Sequence, residues 1–173
     1  MGYSTSYLGR LDVRPRLNPE EVEWLRAFRR TQRAFHPDDP YAVPMNPSAE
    51  HESSAIATKH TGGGWSWPSR GASGVGRCDW EPCVGGRCLH WSDIEKSNSA
   101  VYELTYLINH FLRPGAFAST DGRADFAAFT FDHRVDGTIA ALRGDTRELF
   151  LIVASDNVVT TRTLVAGDVL PWG

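Results

Sequence analysis

The stretch from residue 101 to residue 112 constrains the fold most. Val101, Leu104, Leu107, Ile108, Phe111 and Leu112 recur at helical spacing, with Tyr102 and Tyr106 four apart on an adjacent face. Arg113-Pro114-Gly115 ends the pattern, since proline cannot continue a helix and glycine readily takes the left-handed turn that closes one. Ser97 or Ser99 supplies the N-cap. A helix this apolar must bury one side. The segment before it offers a surface. Residues 76–82 and 89–91 read as two short strands around the turn Val84-Gly85-Gly86-Arg87, with Trp80 and Trp91 as large apolar anchors.

Upstream, residues 3–13 read as a strand on the rough alternation of Tyr3, Tyr7, Leu8, Leu11 and Val13, ended by Pro15. Asn18, Pro19 and Glu21 then form an N-cap, a first helical position and a capping-box partner. Val22, Leu25 and Phe28, with Trp24 beside them, carry an apolar helical face through about Arg33. Glu20, Glu21 and Glu23 sit toward the positive end of the helix dipole, and Arg26, Arg29, Arg30 and Arg33 toward the negative end. Downstream, residues 125–131, 138–142, 148–153 and 158–164 are candidate strands, separated by Asp136-Gly137, Gly144-Asp145 and Asp156-Asn157 turns. This order predicts an α+β fold: an antiparallel sheet of about five to seven strands with two main helices on one face.

Residues 36–77 interrupt this order. They lack sustained periodicity and are rich in Pro, Gly and Ser, which predicts a long irregular loop. Trp65 and Trp67 lie within it. Each can bury a large apolar area, so they either pin the loop to the core or contact a partner. At 173 residues, the expectation is one α+β domain carrying this excursion.

Charge narrows the partners. A net charge of -3 argues against a general nucleic-acid or anionic-membrane binder. No apolar run approaches the ~20 residues of a membrane span. The first residues lack the apolar core of a secretory signal. Three cysteines exclude a complete disulfide framework, so a reduced, cytoplasmic setting is expected.

The sharpest chemical candidate is Cys78, Cys83, Cys88 and His90, which place three thiols and an imidazole within thirteen residues. Zinc accepts a Cys3His set, although the spacing is not that of paired Cys-x2-Cys knuckles, and strand pleating could separate the ligands. Ordinary core or turn cysteines are the competing reading, and a Cys83–Cys88 disulfide would need an oxidising setting. Cys88 and His90, two apart on a strand, share a face but have no recognisable third member of a catalytic set. His36, His51 and His60 are scattered through the loop. His110 is expected to make a satisfied hydrogen bond. Asp132-His133-Arg134 with Asp136 reads as exposed charge in a polar turn. Gly62-Gly63-Gly64 lacks the Gly-Lys-Ser/Thr ending of a phosphate loop.

Several landmarks run through the chain: Met1-Gly2-Tyr3, Leu17-Asn18, residues 41–47, Cys78-Asp79-Trp80-Glu81-Pro82, Leu89-His90-Trp91, residues 104–114 and Asp156-Asn157-Val158-Val159. On these the chain resembles an uncharacterised family of small actinobacterial and actinophage proteins. The resemblance implies an α+β domain and no activity. In the family pattern only the position of Cys78 is usually cysteine; Cys83 and Cys88 stand apart from it.

The leading functional expectation is a non-enzymatic module, of phage or mobile-element origin, that binds a protein partner. Trp65, Trp67, Arg26, Arg30 and Arg33 are its candidate contacts. One alternative is a zinc-stabilised Cys3His domain touching nucleic acid through the same arginines. Another is a small enzyme with its site between the long loop and the sheet, using His90, Cys88 or residues 132–136. No catalytic residue, and no cofactor besides zinc, is assigned.

Overall fold

The computed structural model describes residues 3–33, 36, 39–46, 78–92 and 98–168. Strand β1 (Thr5–Arg14) leads into helix α1 (Pro19–Arg30). The short strands β2 (Trp80–Pro82) and β3 (Cys88–Trp91) precede helix α2 (Ala100–Leu107), which widens into a π-helix over Ile108–Leu112. Strands β4 (Arg134–Arg143), β5 (Leu149–Ser155) and β6 (Val158–Val165) complete the chain. The six strands form one antiparallel sheet in the order β2-β3-β1-β4-β5-β6.

Pleating sorts the side chains. On one face lie Leu11, Val13, Trp80, Leu89, Trp91, Val135, Ile139, Ala141, Ile152 and Ala154, all buried. Both helices cover this face, and α2 meets both edge strands, β2 and β6. The central pair β1–β4 runs in register from Thr5↔Arg143 to Arg14↔Arg134. Gly9 and Gly137 break its regularity with φ of 125° and 140°. A Cβ on Gly137 would stand 3.2 Å from the Arg10 carbonyl oxygen, and one on Gly9 would stand 2.9 Å from that of Thr138. Glycine lets the two strands approach there as no other residue could.

Helix α1 starts as its sequence demands. Asn18 Oδ1 accepts from the Glu21 N–H, and Glu21 Oε2 accepts from the Asn18 N–H, both at 2.8 Å. It ends at Arg30 rather than about Arg33, because Thr31 turns to extended backbone (φ −74°, ψ 133°) while its N–H still closes the last turn on the Ala27 carbonyl. The helix-side core is aromatic: Trp24 stands about 5 Å from the rings of Phe28, Phe111 and Phe126 and 5.5 Å from Phe129.

Residues 125–131 are not a strand. A 3-10 turn over Ala124–Phe126 leads into irregular chain. A strand would put Phe126 on the opposite face from Phe129. The turn brings their rings to 5.1 Å and packs both on Trp24. Of the expected strand over 76–82, Cys78 and Asp79 fall outside β2, which begins at Trp80, and 76–77 lie outside the described residues. Ser99 precedes α2 without a side-chain cap bond. Ser97, Trp65, Trp67, His51 and His60 lie outside the described residues.

Candidate functional site

The four expected zinc ligands do not converge. Cys78 is buried, with its thiol against the Trp80 carbonyl at 3.9 Å. Cys88 and His90 fall on the opposite face of the sheet from Trp80 and Leu89, and His90 Nε2 stands 4.0 Å from Glu81 Oε2. Pleating thus divides the set. Among the described residues no group of three His, Cys, Asp or Glu side chains is arranged to hold a cation.

Cys83 and Cys88 do meet. They face each other across the hairpin turn, where the Cys83 N–H bonds the Cys88 carbonyl at 2.9 Å and the Cys88 N–H bonds Cys83 Sγ at 3.0 Å. Burial pushes the Cys83 thiol up. Bonds from the Cys88 thiol and from the N–H groups of Arg87, Cys88 and Gly85 outweigh it and hold Cys83 below the usual thiol value. Burial, then the bond and charge shared with Cys83, push Cys88 up to about 11.

The candidate contact arginines Arg26, Arg30 and Arg33 do not share one environment. Arg33 is fully buried, donates to the carbonyls of Pro40 (2.9 Å) and Ala42 (2.6 Å), and lies over the Phe28 ring. Arg26 donates to the Pro82 carbonyl at 3.1 Å and joins Arg29 beside Glu81, which ties α1 along the β2 edge. Arg29 also donates to Ser92 Oγ. Of these arginines Arg30 is the exposed one, and among the described residues its side chain bonds only the Arg26 carbonyl, at 3.3 Å within its own helix. Three arginines in three environments do not track a phosphate backbone.

Residues 132–136 correct another expectation, because His133 is buried and not part of an exposed turn. Its Nε2 bonds Glu21 Oε1 at 3.0 Å and its Nδ1 bonds the Pro15 carbonyl at 2.7 Å. Burial pushes the imidazole down, but Glu21 and Pro15 outweigh it and hold it above its usual value. Burial also pushes Glu21 up, and the bonds from His133, Thr130 and Asn18 bring it below the usual carboxylate value. This pair joins the α1 start to the β4 entry, which is a structural task.

His110 sits in the π-helix, a form that often marks working sites. Its Nδ1 meets the Tyr41 hydroxyl at 2.5 Å, and its ring stacks on Tyr106 at 3.7 Å. Burial, then the nearby charge of Arg113, lowers it to about 4, so it is neutral at physiological pH. With Tyr41 donating to Nδ1, the ring proton sits on Nε2. His110, Tyr102, Tyr106, Asn98 and Asn109 line a groove of about 700 Å³ that contains no carboxylate or cationic side chain among its lining residues. Such a wall can offer hydrogen bonds and stacking. It lacks the paired acid and base that proton transfer needs.

The outer face of the sheet carries the largest surprise. β5 is apolar on both sides: Phe150, Ile152 and Ala154 face the helices, and Leu149, Leu151 and Val153 face away. Strand register arranges the outward side chains in rows across β1, β4, β5 and β6. One row reads Ser6, Leu142, Leu149, Val165; the next Leu8, Ala140, Leu151, Arg162; the third Arg10, Thr138, Val153, Thr160. Leu8 is 78% exposed, Val165 54% and Leu142 47%. A one-sided antiparallel sheet normally turns polar residues to water. The uninterrupted apolar run in β5 was the sequence signal for this second face.

Comparison with protein-family models, curated proteins and solved structures gives no match. No helix among the described residues is long and apolar enough to cross a membrane.

Proposed function

We propose that the chain is one non-enzymatic interaction domain, and that a partner polypeptide docks on the outer face and free edge of the β4–β5–β6 meander. The observation that carries this reading is the apolar patch formed by Leu8, Ala140, Leu142, Leu149, Leu151, Val153 and Val165. Exposed contiguous apolar surface costs solubility and is characteristic of contact sites. β6 continues the patch to an open edge. Among the described residues it pairs only with β5; it contains no proline, and it consists of Val, Thr and Leu with a single Arg162. Such an edge accepts an added strand, whose main chain supplies affinity and whose alternate side chains supply specificity.

Charge indicates the partner's chemistry. Arg10 and Arg162 flank the patch on its outward rows, and neither has an ion-pair partner among the described residues. β6 holds no acidic residue, so the β6 strand of a second copy would offer Arg162 no counter-charge. An extended segment of another chain, apolar at alternate positions and carrying a carboxylate, fits better.

The test is selection of linear peptides from a display library on the intact protein. Enriched peptides should alternate apolar residues with at least one acid. Their binding should fall in Leu151→Asp and Arg162→Glu and persist in Arg30→Glu. Absence of enrichment, or peptides that bind Leu151→Asp as well as the parent, overturns the reading.

A further inference from the structure

The turn between β2 and β3 holds a feature that partner binding does not use. Cys83 and Cys88 close the hairpin, each contributing a backbone bond to the other's residue. Both thiols are free and half-buried, whereas Cys78 is sealed in the core. The turn itself is fixed from outside: the Val13 N–H bonds the Arg87 carbonyl and the Leu17 N–H bonds the Gly86 carbonyl, each at 2.8 Å. The two cysteines are therefore held opposite each other on a braced loop that reaches solvent at Val84.

The sulfurs are not equivalent. Cys83 Sγ accepts the Cys88 backbone N–H at 3.0 Å, and its thiol is held below the usual value while that of Cys88 is pushed up. A sulfur that accepts a backbone N–H is the better thiolate site, and its neighbour is a reserve thiol. We infer that Cys83 and Cys88 form a thiol–disulfide exchange site for low-molecular-weight disulfides, with Cys83 as the attacking sulfur and Cys88 as the resolving one.

The chemistry closes. The Cys83 thiolate attacks one sulfur of the disulfide RSSR, forming the mixed disulfide Cys83–S–S–R and expelling RS⁻. The departing thiolate takes the Cys88 proton and leaves as RSH. The Cys88 thiolate then attacks Cys83 Sγ, forms the Cys83–Cys88 bond and expels the second RS⁻. Two electrons pass from the dithiol to RSSR, and a reducing thiol pool reverses the sequence.

The probe is hydroxyethyl disulfide, applied to the full-length protein near neutral pH and quenched with acid. Trypsin cuts after Arg77, Arg87 and Lys96, so the new bond joins the peptide of residues 78–87 to that of residues 88–96. Fragmentation of the linked pair should place the bond at Cys83, and Cys78→Ala should still form it. Cys88→Ser should stop at a mixed disulfide on Cys83. In Cys83→Ser, Cys88 should react at least about tenfold more slowly than Cys83 does in Cys88→Ser, following their difference in thiolate character. Circular dichroism of each variant confirms that the fold is retained. A bond mapped to Cys78, equal rates in the two serine variants, or no linked peptide overturns the assignment.

Discussion

His133 donates from Nε2 to Glu21 Oε1 at 3.0 Å and from Nδ1 to the Pro15 carbonyl at 2.7 Å, with His133 and Glu21 each only 1% exposed. A neutral imidazole has one N–H, so two acceptors require the imidazolium. Glu21 uses its other oxygen to cap α1. A buried ion pair therefore ties the first helix to the central strand β4.

Folding stability should follow the proton on this pair. The His133 value is raised, so its contribution is complete below the unfolded value of 6.5 and is lost as pH rises through the folded one. The Glu21 value is lowered from 4.5, so its contribution is present above that value and is lost as pH falls through the folded one. His133→Ala leaves a buried carboxylate unpaired and should cost about 3–5 kcal/mol in urea unfolding near pH 6. The deficit should shrink at alkaline pH; a deficit that stays constant would remove the charge from the account.

Glu103 adds a second alkaline liability. Burial raises its value to about 8, the Asp79 N–H bond lowers it, and the Asp79 charge raises it further. A raised carboxyl favours folding while protonated and disfavours it as pH climbs through the folded value. Glu103→Gln keeps an acceptor for the Asp79 N–H and cannot ionise. It should gain on the order of 1–3 kcal/mol relative to the parent between about pH 5 and pH 9. Parallel pH curves for the two proteins would contradict this.

Arg33 is the arginine whose loss should be felt in the fold. Removing its bonds to Pro40 and Ala42 strips the segment after α1 of its anchor. Arg33→Ala should destabilise by about 1.5–3 kcal/mol, and Arg33→Lys should not fully restore stability, because one ammonium cannot reproduce the guanidinium fork. Arg30→Ala should change stability by less than about 0.5 kcal/mol. Chemical denaturation of the three variants decides the order.

Local signals were legible in the chain, and long-range ones were not. The α1 cap is written within four residues, and Trp80 and Trp91, the expected apolar anchors of the hairpin, are paired across it with rings 5.4 Å apart. The apolar face of α2 is equally local, though its widening into a π-helix left no mark in the spacing. The run 125–131 alternates well enough to resemble a strand, but Phe126 and Phe129 answer to Trp24, about a hundred residues away. His133 looked like turn charge because its counter-ion, Glu21, was already explained as a cap. A capping Glu that is itself buried needs a cation for its second oxygen, and that requirement was the available clue. The apolar run of β5 marks a second face in the sequence, but the extent of the patch depends on the registers of four strands.

The most direct test of the central claim is amide hydrogen exchange along β6, with and without a saturating selected peptide. Strand addition predicts slowed exchange at alternate amides of Val158–Val165, those not bonded to β5, with α2 unchanged. Unchanged β6 amides at full occupancy, or protection confined to the groove beside His110, would contradict it.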